Sequence, residues 1–282
     1  MGAALLITLR EGIEATLIVS ILLAYLTKLE RSDAARLVWW GTGTAIVVSI
    51  AVGAVIFAIE GEFAGTGEQL FEGLVTLTAV TVLTWMIFWM RRQGARIRSE
   101  LHERLDTALV TGGPAIALLA FVAVVREGIE TALFIFAAAK GTAVTSGGVA
   151  EQLLGAAIGL AAAVVLGALL YRGGIKMDLR TFFRVTGALL IVVAAGLFAF
   201  SIHELQEAGV LPFLTSIAFD ISGVVPDDAG PGGILRALIG YQANPTWLEV
   251  LAWISYIAVV GTAFLRPSPA PSRHHADVAT PA

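Results

Sequence analysis

The sequence predicts an all-α polytopic membrane protein: seven transmembrane helices, arranged as two inverted three-helix repeats plus a seventh helix. Three observations carry this. Only 14% of the 282 residues are charged and 57% are hydrophobic, with a mean hydropathy of +0.84; a soluble domain carries about 25% charged and about 45–50% apolar residues. Seven apolar runs approach the roughly 20 residues needed to cross a bilayer. A pentapeptide, REGIE, occurs twice, at 10–14 and 126–130.

So few charges cannot cover a water-facing surface, which excludes an ordinary soluble enzyme and a disordered chain. The net charge of −4 lacks the basic balance of a nucleic-acid binder. Without cysteine there are no disulfides, thiolate metal sites or redox motifs. The runs lie near 2–27, 37–59, 71–90, 114–139, 151–171, 183–205 and 247–265. They are continuous and rich in Leu, Ala and Val, not alternating, so they read as helices and not as strands of a membrane barrel. Between them, 91–113 reads as a cytoplasmic loop able to form an amphipathic helix. Residues 206–246 read as an outer loop with an apolar piece, Leu211–Ile221, and 266–282 as a disordered tail in which His274 and His275 are solvated.

Basic residues orient the chain. Lys28, Arg31 and Arg36 follow the first run; Arg91, Arg92, Arg96, Arg98 and Arg104 the third; Arg172, Lys176, Arg180 and Arg184 the fifth; Arg266 and Arg273 the last. Only Lys140 and Arg236 fall on the opposite side. This bias places the N-terminus outside and the C-terminus in the cytoplasm. No basic residue precedes the first run, so it reads as a translocated first helix and not as a secretory signal.

The two REGIE copies head two blocks, 1–90 and 114–205, of three runs each. Three is odd, so the second block enters the membrane upside down, the pattern of an inverted repeat with a substrate site at the repeat interface. Run 247–265 stands outside the symmetry. At 1.5 Å per residue, Arg10 lies roughly 12 Å below the outer end of its run and Arg126 roughly 18 Å above the inner end of its own. Both copies therefore sit near the centre of a core about 30 Å thick.

On a helix, Arg10 and Glu14 stand about 40° apart and Glu11 and Glu14 about 60°, so all three share one face; Arg126, Glu127 and Glu130 repeat the pattern. Gly12 and Gly128 let a neighbouring helix approach closely. Each charge at a helix centre costs about 3 kcal/mol, roughly 9 kcal/mol per helix. An i,i+4 Arg–Glu pair that merely pins helices accounts for Arg10 with Glu14 but leaves Glu11 and Glu127 unpaired. Intramembrane ionisable groups otherwise mark ion or substrate paths. Four carboxylates are hard oxygen ligands suited to a hard cation, with the two Arg offsetting their repulsion; iron, manganese, magnesium and calcium all fit.

More acids gather at the outer ends of the runs. Glu60, Glu62 and Glu68 lie between the second and third, with Glu72 one helical step below Glu68, and HELQE places His203, Glu204 and Glu207 at the end of the sixth. Asp220, Asp227 and Asp228 follow. Glu68, Glu72, Glu204, Glu207 and His203 are the candidate outer mouth, where negative potential concentrates cations. HELQE lacks the second His of a zinc protease. No pair of Glu-x-x-His motifs faces inward as in a di-iron enzyme. An intramembrane metalloenzyme is therefore the weaker alternative, and a permease for another cation, such as Mn2+ or Pb2+, the nearer one.

The paired REGIE motifs resemble those of the oxidase-dependent iron permeases, the fungal high-affinity iron permease and the bacterial EfeU-type transporter. EFAGTGEQLFEG (62–73), TWMIFWM (84–90), HELQEAG (203–209) and GYQANPTWLEVLAW (240–253) are similar to the same family. The resemblance implies import of ferric iron across a bacterial plasma (inner) membrane, with Fe3+ as transported substrate and no cofactor. It implies Glu11, Glu14, Glu127 and Glu130 as translocation ligands with Arg10 and Arg126 beside them. It also implies a separate extracytoplasmic iron-binding or oxidising partner protein. The fungal outer-loop D-A-S-E motif is missing, which favours the bacterial branch.

Overall fold

The computed structural model describes residues 2–60, 62–93, 97–141, 148–172, 179–227 and 230–266. Arg96, Lys176, Asp228 and the tail 267–282 with Arg273, His274 and His275 lie outside them. The described chain is all-helical: α1 (Gly2–Lys28), α2 (Ser32–Glu60), α3 (Thr66–Gln93), α4 (Ile97–Thr111), α5 (Gly113–Gly141), α6 (Gly148–Tyr171), α7 (Leu179–Glu207), α8 (Gly230–Ile239) and α9 (Trp247–Tyr256). A π-helical turn (Ile257–Gly261) and a last α turn (Thr262–Leu265) extend α9. Each expected run is helical over nearly its expected length, because internal hydrogen bonding is the only way an isolated backbone segment is satisfied in lipid.

Five of these helices are long and apolar enough to cross a membrane: Asp33–Ile59, Thr66–Met90, Ala150–Tyr171, Thr181–Glu207 and Trp247–Leu265. α1 and α5 match them in length, at 27 and 29 residues, but REGIE puts three ionisable residues in the middle of each. Length and composition together therefore mark five spans among the described residues, and α1 and α5 match them in length alone. The amphipathic segment forms α4, whose Leu101, Leu105 and Ala108 are buried. The loop after α7 holds a helix that its composition did not announce, α8. The apolar piece Leu211–Ile221 is mostly exposed, joined to the start of α9 by an antiparallel bridge between Ile217 and Thr246.

Glycine ends two helices. Gly112 (φ 118°) separates α4 from α5. Gly209 (φ 75°) closes α7: its N–H donates to the Gln206 carbonyl at 2.9 Å, and the Val210 N–H donates to the Leu205 carbonyl at 2.9 Å. A left-handed residue lets both last carbonyls be satisfied.

α1 packs most extensively on α6, α2 on α5 and α3 on α7, and α1 also lies against α5. The first two contacts are made by small residues four apart. A Cβ on Gly12 would stand 2.6 Å from the Ala163 Cβ, and Gly159 and Gly167 of α6 face Thr8 and Thr16 of α1. On the other pair, Ser49 and Gly53 of α2 face Gly128 and Ala132 of α5, and Gly41 of α2 faces the Ala117 backbone. Side chains this small let backbones close together where lipid gives no hydrophobic push. The expected close approach at Gly12 and Gly128 is thus present, with α6 and α2 as the partners.

Two apolar clusters fill the bundle. One joins Ile7 of α1 to Leu83 and Met86 of α3, Phe134 of α5 and Leu190 of α7. The other joins Leu22 and Leu26 of α1 to Val38 of α2, Leu105 of α4 and Ile116 of α5. Along α1 the first cluster ends at Ile7 and the second begins at Ile18. Along α5 the second ends at Val124 and the first begins at Phe134. Both REGIE motifs fall in the gap between.

Candidate metal centre

α1 and α5 bring the two motifs face to face between these clusters. Arg10, Glu11, Glu14, Glu127 and Glu130 are all buried. Glu11, Glu14 and Glu127 each present one carboxylate oxygen within 4.8 Å of the others, the only such set of three His, Cys, Asp or Glu among the described residues. Glu130, the fourth expected ligand, stands beside this set: its Oε1 accepts from Arg126 Nε at 2.9 Å.

The arginines are not equivalent. Arg10 is fully buried. Its Nη1 donates to Glu11 Oε1 at 2.9 Å and to Met86 Sδ at 3.3 Å, while Nη2 lies 3.1 Å from Glu14 Oε1. Glu11, expected to be unpaired, is therefore held by its own neighbour, because a guanidinium forks to two acceptors where an i,i+4 rule counts one. Arg126 is about a third exposed and its Nε is 3.9 Å from Glu127 Oε1. Its guanidinium sits over the rings of Trp89 and Trp85, at 4.5 and 5.7 Å from their centroids, a cation–π arrangement.

The pairing is incomplete in one respect. Glu11 Oε2, Glu127 Oε2 and Glu130 Oε2 are buried without a hydrogen-bond partner, as are Arg10 Nε and Arg126 Nη2. A buried carboxylate oxygen with no donor is costly. A hard cation among Glu11, Glu14 and Glu127 satisfies such oxygens. Two oxygens on one cation stand at most about 4.2 Å apart for bonds of about 2.1 Å. The three oxygens, all within 4.8 Å of one another, are thus near the spacing of a shared cation.

The expected outer mouth is only partly assembled. Glu204 of α7 stands against Gly73 of α3, next to Glu72. Lys140 Nζ lies 2.8 Å from Glu72 Oε1, so this acid is spent in part on an ion pair between α3 and α5. His203 Nε2 is 3.3 Å from Glu207 Oε1, and Gln69 donates to Glu207 Oε2 at 2.8 Å. Glu68, half-buried in the first turn of α3, completes no triad with them. Of the loop acids, Asp227 pairs with Arg236 at 2.6 Å. Asp220 accepts from the Ser222 N–H and hydroxyl, which holds its carboxyl below the ordinary value.

Four contributors escaped the sequence reading. Met86, Trp85 and Trp89 lie in TWMIFWM, where Trp85 and Trp89 share a face at i,i+4 and Met86 turns to Arg10. Glu249 of α9 is 1% exposed and lies 3.0 Å from His203 Nδ1. The available signal was T-x-x-E opening an apolar run, a helix-start pattern that also plants an acid inside the span.

The chain is a cation-transporting membrane protein: it belongs to the Iron permease FTR1 family, whose model matches residues 1–267. It is a multi-pass permease with iron as the transported substrate. It is 40% identical over 270 residues to the "Ferrous iron permease EfeU" of Escherichia coli O6:H1 (strain CFT073), covering 95% of this chain and 96% of that protein. The protein of the same name from Escherichia coli O157:H7 is 39% identical, with the same coverage. That of Yersinia pestis is 36% identical over 95% of this chain and 94% of its own. No solved structure matches.

Proposed function

We propose that this chain imports iron across a bacterial plasma (inner) membrane through the carboxylates of its two REGIE motifs. The convergence of Glu11, Glu14 and Glu127 within 4.8 Å carries the reading, with Glu130 one step away on Arg126. Arg10 and Arg126 offset carboxylate repulsion before the cation arrives, and each has to share its carboxylates with iron afterwards.

The packing supports an inverted repeat. The first helix of each block lies on the second helix of the other, α1 on α6 and α5 on α2, and the third helices α3 and α7 lie on each other. A two-fold axis in the membrane plane exchanges such pairs. Rocking one block against the other opens the site to alternate sides, and the apolar clusters at Ile7 and Leu22 are the plugs that then part. Lys and Arg asymmetry puts the Glu204 and Glu207 end outside, so iron from a separate extracytoplasmic partner meets the acidic end first.

Ferric iron is the species this reading favours, because an all-carboxylate centre suits the harder ion. A ferrous reading has its own observation: the curated relatives are named ferrous iron permeases. Sealed proteoliposomes given Fe3+ or Fe2+, with valence held chemically, separate the two, and Mn2+ competition tests cation choice. Glu14→Ala and Glu130→Ala should each abolish uptake while the protein still inserts. Normal uptake by both overturns the site.

A further inference from the structure

Glu249 belongs to neither REGIE motif. It stands in the first turn of α9, the helix outside both blocks. The Thr246 hydroxyl caps that helix by accepting the Glu249 N–H at 3.3 Å, and the Glu249 side chain turns inward, 1% exposed. Its Oε1 is 3.0 Å from His203 Nδ1, and its Oε2 is buried with no hydrogen-bond partner. Across the imidazole, Nε2 lies 3.3 Å from Glu207 Oε1, and Gln69 steadies the other Glu207 oxygen. One line of contacts thus runs from α9 through α7 to α3.

We propose that Glu249 is a positioning residue that holds His203 in its Nδ1–H tautomer, so that His203 Nε2 and Glu207 form a two-atom iron-receiving post at the acidic end of the bundle. A carboxylate on one imidazole nitrogen is the arrangement that orients a ligating histidine and raises its basicity. The 3.3 Å between Nε2 and Oε1 matches two adjacent ligands, which stand about 3.0–3.4 Å apart when bonds near 2.1 Å meet at 90–110°. Leu or Gln at 249 would fill the same space without burying a charge, so a purely packing role does not account for a carboxylate there. The competing arrangement is an imidazolium clamped between Glu249 and Glu207. It has the same contacts and no affinity for metal.

The role as a post rests on the import reading; metal binding by His203 and Glu207 does not. The test is anaerobic equilibrium binding of ferrous iron to the full chain in detergent, in a Glu14→Ala background that removes the central site. One iron per chain should remain. Glu249→Leu and His203→Ala should each weaken it about tenfold or more, the scale of lost outer-shell support for a ligand. The double variant should be no weaker than the worse single, because the two act as one unit. The near-isosteric Glu249→Gln, which can still accept from Nδ1–H, should fall between wild type and Leu. Unchanged binding in Glu249→Leu, additive losses, or no remaining iron in the background overturn the proposal. In proteoliposomes carrying wild-type Glu14, Glu249→Leu should raise the half-saturating iron concentration by a similar factor, with the maximal rate within about twofold. Vesicles that import no iron, beside intact His203-dependent binding, remove the permease reading and leave the post. Vesicles that import normally with half-saturation unmoved do the reverse.

Discussion

Arg10 and Arg126 occupy the same place in two copies of one pentapeptide, yet Arg10 is sealed on Met86 at 3.3 Å while Arg126 lies about a third exposed over the ring of Trp89. The asymmetry leaves one guanidinium enclosed and the other partly uncovered. It also gives the two arginines different sensitivities.

Arg10 divides its guanidinium among Glu11, Glu14 and Met86, which a lysine ammonium cannot copy. Arg10→Lys should lose at least one charge-assisted hydrogen bond, worth about 1.5–3 kcal/mol, and with it roughly tenfold or more of uptake. Arg126→Lys keeps one carboxylate and a cation over the ring, so its loss should be clearly smaller. Iron uptake by the two variants at matched membrane abundance checks this; equal losses contradict it.

Gly12 and Ala163 set the distance between α1 and α6. Gly12→Ala places two Cβ atoms at 2.6 Å, an overpacking that should cost about 1–3 kcal/mol. Ala163→Gly removes the atom that is struck. The double variant should therefore recover most of the thermal stability lost by Gly12→Ala, measured by unfolding in detergent. A double variant less stable than Gly12→Ala alone would show that the contact is not the cause.

Lys140 and Glu72 form a largely buried ion pair across α5 and α3. Lys140→Met takes this cation from Glu72 and should destabilise the fold by about 3–5 kcal/mol, while Lys140→Met with Glu72→Leu should return much of it. A double-mutant cycle on unfolding midpoints reads the coupling. Additive losses would mean that the pair is incidental.

Much of the fold was legible in the sequence because hydropathy alone sets where a helix must run in lipid. Every expected run is helical, and α4 forms within the amphipathic segment 91–113. α8 was not legible: its ten residues, opening on Gly-Pro-Gly-Gly, look like loop by composition. The candidate central cluster was legible as a set of residues because the motif repeats and because charge in an apolar run is expensive. The acidic end was less so. Composition counts acids but does not show that Lys140 holds Glu72 or that Glu249 reaches His203 from α9.

By itself, then, the sequence determined that this is a helical membrane protein with six ionisable residues committed to its interior. Twofold repetition, apolar length and desolvation cost are all one-dimensional signals. Only the tertiary structure decided which carboxylates converge: Glu11, Glu14 and Glu127 together, and Glu130 drawn off to Arg126. Convergence depends on how closely helices approach. Here that is set by contacts such as Gly12 on Ala163 and Gly128 on Ser49, between residues too far apart in the chain for any local pattern to pair them.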